Sequence, residues 1–313
     1  MRPLYKLLGS AGLCLFIAAL PAAAQQPDIN LHGVIDIHAH QSPDSGPREI
    51  EADDLARLAK RMGERGLVMK NHYESTSSLV YILRKEVPGI ELYGGVTQDL
   101  AVGGINLAAV KQMASVTGNY GKVVWLPTFD SEISVRHADG KGKGLYVPIQ
   151  KEGKLLGSVL ELFDYIAQHN LLLETGHISA HEVLMVIPEA KKHGVQHIVV
   201  THAMSGPINM TIPEMQEAAR DGAMIEFVYG ATLGPDAKLS VAKYAEAVKA
   251  IGARNCILST DLGGMTHPYK RPSPPQGMLD FMNAMHAQGI SVADINLMTK
   301  TNPALALGLK PEG

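Results

Sequence analysis

Metal-ligating residue types recur at the ends of short apolar, β-branched runs. The run that starts at Gly33 carries Asp36, His38 and His40. Side chains alternate along a strand, so these three share a face, and two histidines spaced i, i+2 can grip one ion through their ring nitrogens. Later runs end at His177, at His202 and at Asp261. A single histidine at a strand end is ordinarily solvated or hydrogen-bonded. Four histidines and a carboxylate at the same end of successive strands point instead to a metal centre, and this donor set suits Zn²⁺ or a similar transition metal, as one ion or two. A bound divalent cation pulls the pKa of water toward neutrality, and a carboxylate beside that water can carry its proton.

Lys70 and His72 repeat the i, i+2 spacing on a second run, Gly66 to Lys70. A lysine at the end of an apolar strand is costly unless it has a partner. Three roles are open: a carboxylated lysine joining two ions, a cation for a substrate carboxylate or an oxyanion, or an ion pair with Asp36 or Glu226. His72, Tyr73 and Arg48 are candidate substrate contacts, Arg48 for an anionic group. Packing is an equal alternative for His72 and Tyr73, and solvation is the plainer reading of Arg48.

Eight apolar runs must position these groups: 33–38, 66–70, 90–96, 122–126, 171–175, 197–201, 223–228 and 255–260. Continuous apolar runs of this length suit strands buried on both faces. Amphipathic segments separate them, near 51–64, 75–87, 105–117, 157–169, 180–193, 211–221, 238–251 and 274–288. Ser179 with Glu182 reads as a capping box, and Gly194 as the stop of the same helix. Eight strands alternating with eight helices predict an α/β chain folded as a (β/α)8 TIM barrel. No dinucleotide fingerprint follows the first run, which weighs against a doubly wound sheet. An extended loop after the fourth strand, 127–156, holds a hairpin around residues 151–154 and is as much a surface excursion as a lid.

The ordered set His38, His40, His177, His202 and Asp261 resembles the amidohydrolase superfamily of metal-dependent barrel hydrolases. The tail from Asn302 to Gly308 also looks like that superfamily's NPA…LG ending. The resemblance covers nearly the whole mature chain. It implies that His38, His40 and Asp261 bind the more buried ion. His177 and His202 then bind a second ion or position water and substrate. Asp261, with Lys70 and His202 beside it, carries the catalysis. It also implies attack by metal-activated water on an amide, lactam, ester or lactone. One departure stands out: the fourth strand ends at Trp125 and Leu126, without the lysine or glutamate that two-metal members place there. Rival readings are a single-metal decarboxylase or hydratase, a phosphoesterase, and a metal-containing binding protein without turnover.

Composition bounds the rest. Arg2 and Lys6, the apolar stretch from Leu7 to Leu20 and the run Ala22 to Ala24 form a secretory leader cleaved after Ala24. A retained anchor is the alternative. Residues 25–313 then make one barrel domain, periplasmic or secreted. The formal charge of −3 becomes more negative when the leader leaves. Neither value suggests a nucleic-acid or anionic-membrane partner, which would need a basic patch. The expected partner is a small-molecule substrate, and a homo-oligomer is compatible with the sequence. Only Cys256 survives cleavage, so no intrachain disulfide contributes.

Overall fold

The computed structural model describes residues 29–138, 144–264 and 269–311. The expected leader, 1–24, lies outside them. Four strands alternate with helices first: β1 (Ile35–His40), α1 (Ala52–Met62), β2 (Gly66–Lys70), α2 (Ser77–Glu86), β3 (Glu91–Thr97), α3 (Leu107–Ser115) and β4 (Gly121–Trp125). A short helix α4 (Glu132–Ala138) and a hairpin, β5 (Gln150–Lys151) with β6 (Lys154–Leu155), follow β4. The alternation then resumes with α5 (Gly157–Gln168), β7 (Leu172–Glu174), α6 (Ala180–Lys192), β8 (His197–Val200) and α7 (Ile212–Arg220). Next come β9 (Met224–Val228), α8 (Val241–Ile251), β10 (Cys256–Ser259) and α9 (Pro274–Ala287). Two short helices, α10 (Val292–Asn296) and α11 (Asn302–Ala306), end the chain.

Eight parallel strands lie in the order β1-β2-β3-β4-β7-β8-β9-β10. The barrel closes where β1 meets the chain just past β10. The Asp261 amide donates to the His38 carbonyl at 2.8 Å, and the His40 amide to the Leu262 carbonyl at 2.9 Å. This is a (β/α)8 barrel, as the alternation predicts. Strand and helix limits shift from the expected ones by a few residues at most. The larger difference is β1, which runs on to His40 and so takes both histidines into the strand.

Alternation along each strand sorts side chains to two sides. In β2, Leu67 and Met69 pack with Leu55 and Ala59 of α1 and with Val80 of α2. Val68 instead joins Tyr93, Val123, Trp125, Leu172 and Ile257, the cluster shared by successive strands. Lys70 has the parity of Val68 and is fully buried. Gly95 makes room for the indole: a Cβ there would come within 2.4 Å of the Trp125 ring. Ala304 and Leu307 of the C-terminal segment pack against that same cluster. The Asn302 side chain ties the segment down, donating to the carbonyls of Ala253 at 2.9 Å and Cys256 at 2.7 Å. The asparagine of the NPA stretch is therefore a clamp on the start of β10.

The Ser179–Glu182 capping box opens α6, and an equivalent pair, Thr211 with Glu214, opens α7. The helix α4 and the C-terminal π turn at Leu297–Thr301 lack a sequence signal long enough to expect them. No described helix is long and apolar enough to cross a membrane.

Candidate metal centre

The barrel closure that joins β1 to the end of β10 also brings His38, His40 and Asp261 together. Asp261 sits at φ +50°, a region uncommon for residues other than glycine, and the amide bond to His38 holds it there. Gly263 lets the chain pass over β1, because a Cβ there would meet the His40 carbonyl oxygen at 2.0 Å. Asp261 Oδ1 then lies 3.4 Å from His38 Nε2 and 3.2 Å from His40 Nε2. The three ligand atoms fall within 4.8 Å of one another.

The other ring nitrogens are occupied, which decides the tautomers. His40 Nδ1 donates to the Lys70 carbonyl at 2.9 Å. His38 Nδ1 donates to the Glu226 carboxylate, 3.2 and 3.3 Å from its two oxygens. Each Nε2 thus faces Asp261; burial and Lys70 lower the His38 pKa, but Glu226 and Asp261 outweigh them and raise it. Metal-binding histidines are ordinarily held by such an outer carboxylate or carbonyl. Burial pushes Glu226 up, but His38 and the His202 amide outweigh it and keep the carboxylate ionised. Burial and Glu226 together raise neighbouring Glu174, so that carboxyl keeps its proton.

Lys70 Nζ stands 3.0 Å from His38 Nε2 and 5.4 Å above the Trp125 ring. Burial lowers its pKa. The expected alternative of an ion pair with Asp36 or Glu226 is not what forms among the described residues. Asp36 is taken instead by Thr260, whose hydroxyl donates at 2.5 Å, and by the His38 amide at 3.0 Å.

His177 and His202 approach from β7 and β8, with ring centroids 4.8 Å apart. Gly176 turns the chain tightly before His177: a Cβ would meet the Leu126 carbonyl at 2.2 Å. The His202 amide donates to Glu226 at 2.8 Å, and its buried Nδ1 has no partner among the described residues. No third ligand closes on this pair to within 4.8 Å among the described residues. His72 completes a circuit of five imidazoles. Successive centroid distances are 5.3 Å for His38–His40, 5.2 Å for His40–His72 and 5.8 Å for His72–His177, then 4.8 Å to His202 and 5.7 Å back to His38.

His72 is itself held by a buried chain. Its Nδ1 lies 2.7 Å from the Thr128 hydroxyl, and that hydroxyl donates to Asp99. The hydroxyl has one proton and gives it to the carboxylate, so His72 Nδ1–H is the donor and Nε2 keeps its lone pair. Burial drives the pKa of His72 and His177 down, and brings His40 and His202 to about 4. These four rings are therefore neutral at ordinary pH, the form that binds metal. The chemistry of the donor set and the unpartnered His202 nitrogen both fit a divalent ion.

A cavity of about 300 Å³ opens over these groups. Arg48 reaches it from the loop after β1, and its Nε donates to Asp44 at 2.6 Å. Arg271 reaches it from the loop after β10, and Phe129 lies tilted against His72, ring centroids 4.1 Å apart. Tyr73 does not line the cavity. It lies half-exposed, 6.1 Å from the His72 ring. The sequence reading misses Asp44, Asp99, Thr128 and Arg271. Each is a lone polar residue on a loop, and only the fold brings it to a partner.

A model described as a family of unknown function (DUF6282) matches residues 33–226. No curated relative matches the sequence. Solved structures do resemble it. One is a weak promiscuous lactonase template engineered for organophosphate hydrolysis, 14% identical over 90% of this chain and 97% of that one, with a TM-score of 0.60. An amidohydrolase from Pseudomonas aeruginosa is 13% identical over 88% and 95%, with a TM-score of 0.60. An organophosphorus hydrolase from Deinococcus radiodurans is 14% identical over 92% and 100%, with a TM-score of 0.59. At these identities what is shared is the (β/α)8 barrel fold.

Proposed function

This chain belongs to that family of unknown function, DUF6282, and we propose that it is a metal-dependent hydrolase acting on an amide, lactam, ester or lactone of a small molecule. The observation that carries the reading is the convergence of two Nε2 atoms and one carboxylate oxygen to within 4.8 Å of one another, with both Nδ1 atoms held from behind. His38, His40 and Asp261 would hold one ion. His177 and His202 would hold a second, with a carboxylated Lys70 between them. A bound divalent ion, zinc in our reading, supplies Lewis-acid polarisation of the scissile group and lowers the pKa of water.

The chain's own groups supply the proton handling and the binding. Asp261 stays ionised because the charge of neighbouring His38 outweighs burial and holds its carboxylate well below the usual range. Its side chain is 30% exposed toward the cavity, so it can take the proton of the attacking water and return it to the leaving group. His72 presents a second acceptor, Nε2, whose orientation the Thr128–Asp99 chain keeps. Phe129 covers the imidazole ring and limits water on that side. The leader suggests that the protein works in the periplasm or outside the cell.

Zinc-loaded protein should be assayed against panels of esters, lactones, amides and phosphotriesters, beside His38→Ala/His40→Ala. The reading expects hydrolysis of at least one class and loss of both metal and turnover in the double variant. Metal content unchanged in that variant would overturn the assigned centre. Release of CO2 from a test acid with no hydrolysis would favour a lyase.

A further inference from the structure

Among the described residues the cavity wall holds one large apolar side chain, Phe129. It comes from the loop after β4 and is 42% exposed. A phenyl ring left in water forgoes the stabilisation of burial, and one set in a pocket wall offers a surface to an apolar group of a ligand. The ring packs on His72 with centroids 4.1 Å apart and meets His177 edge-on at 5.4 Å. Half-exposed Tyr73 continues the aromatic surface beyond the cavity, 6.4 Å from Phe129. Against that surface lies one fixed polar atom. The His72 ring also packs, nearly parallel, on His40 at 5.2 Å. Its Nδ1–H donates to the Thr128 hydroxyl, which donates in turn to Asp99. Nε2 is left as an acceptor with no hydrogen bond of its own among the described residues, and His72 lines the cavity beside Phe129.

An oriented acceptor beside an aromatic face selects a ligand with both matching features. A flat ring gains from edge-to-face or offset stacking on Phe129. A donor on that ring satisfies Nε2. A ring without one leaves the acceptor unpaired, which is how a site built for an O–H or N–H rejects the analogue that lacks it. Size agrees: a cavity of about 150 Å³ is enough for benzene, so about 300 Å³ takes one ring together with the bond to be cut. We propose that the substrate carries an aromatic ring bearing an O–H or N–H, as in a phenol or an arylamine, with the ring on Phe129 and the donor on His72 Nε2. This rests on the hydrolase reading for the word substrate, but the ring site itself is built from Phe129 and the Asp99–Thr128–His72 chain and does not need the metal.

The test titrates the whole protein, zinc-loaded and chelator-stripped, with phenol, toluene and cyclohexanol, read by ligand-observed NMR. Toluene matches phenol in shape and lacks the donor, while cyclohexanol keeps a hydroxyl and lacks the flat ring. Phenol should bind about tenfold more tightly than either, in both preparations. His72→Phe, in which Thr128 keeps its bond to Asp99, should bring phenol and toluene to within about twofold of each other. Phe129→Ala should weaken phenol about fivefold or more while phenol stays ahead of toluene. Aniline against N,N-dimethylaniline on the parent repeats the donor comparison without any variant. Zinc content and hydrolysis are measured separately on the same preparations, so failure of the metal centre and failure of the ring site give different results. The proposal is overturned if either donor-bearing ring binds no more tightly than its counterpart, if cyclohexanol matches phenol, or if phenol binds only the zinc-loaded protein. It is equally overturned if folded His72→Phe keeps the preference for phenol, or if Phe129→Ala binds phenol as the parent does.

Discussion

Glu226→Gln is the sharpest probe of the metal centre, because Glu226 touches none of the ion's direct ligand atoms. Its carboxylate is fully buried, lies 3.2 and 3.3 Å from His38 Nδ1, and accepts the His202 amide at 2.8 Å. The amide of glutamine keeps the shape and one acceptor oxygen. It removes the negative charge that makes His38 Nε2 a better donor to a cation. Loss of an outer partner of this kind typically costs ten- to a hundredfold in metal affinity, about 1.4–2.8 kcal/mol. The loss should not exceed that range, since His38, His40 and Asp261 all remain. Competition between stripped protein and a chromophoric zinc chelator measures it, with melting curves to show that the variant is folded. Glu174→Gln is the internal control. Burial and Glu226 already keep Glu174 protonated, so replacing it by a neutral amide should change zinc affinity by no more than about threefold, the spread of context effects. Equal losses in the two variants, or zinc affinity of Glu226→Gln within twofold of the parent, would refute the outer-carboxylate argument.

Other outcomes follow from neighbouring groups. Lys70→Met should lower the count of bound zinc from two ions to one and abolish any help from bicarbonate in reconstitution, as measured by elemental analysis. An unchanged count would leave Lys70 as a cation for substrate. Thr128→Val should cost about 1–3 kcal/mol for each polar group it strands, Asp99 and His72 Nδ1, while Thr128→Ser restores most of it; denaturant melts that do not separate the two variants would dissolve the chain. Glu64 is buried, with neither carboxylate oxygen hydrogen-bonded among the described residues, and burial raises its pKa well above the ordinary 4.5. The folded state thus holds a proton that the unfolded chain has released, so its contribution is full below the unfolded pKa and is lost as pH rises through the folded one. Glu64→Met should therefore melt higher than the parent at pH 8, with the gap shrinking toward pH 4. A gap that does not change with pH would remove Glu64 from the account.

Local chemistry made much of this protein readable in one dimension. Eight apolar runs alternating with eight amphipathic ones are a property of the chain, and burial of both strand faces turns that pattern into a parallel barrel. The five candidate ligands were legible because each lies at the end of such a run, where a polar residue is conspicuous. The same local rule marked Lys70 and His72. What the tertiary structure decided is everything that depends on a partner distant in sequence. Lys70 meets His38 Nε2 rather than Asp36, because Thr260, arriving with β10, has already taken that carboxylate. Glu226 becomes the support of His38 through a contact spanning 188 residues. Thr128 and Asp99 acquire meaning only when β3 and β4 lie side by side, and Arg271 only when the loop after β10 folds over Gly230. Hydrogen bonds act over about 3 Å and carry no periodic signature along the chain. They can be seen only once the barrel has brought its strand ends together.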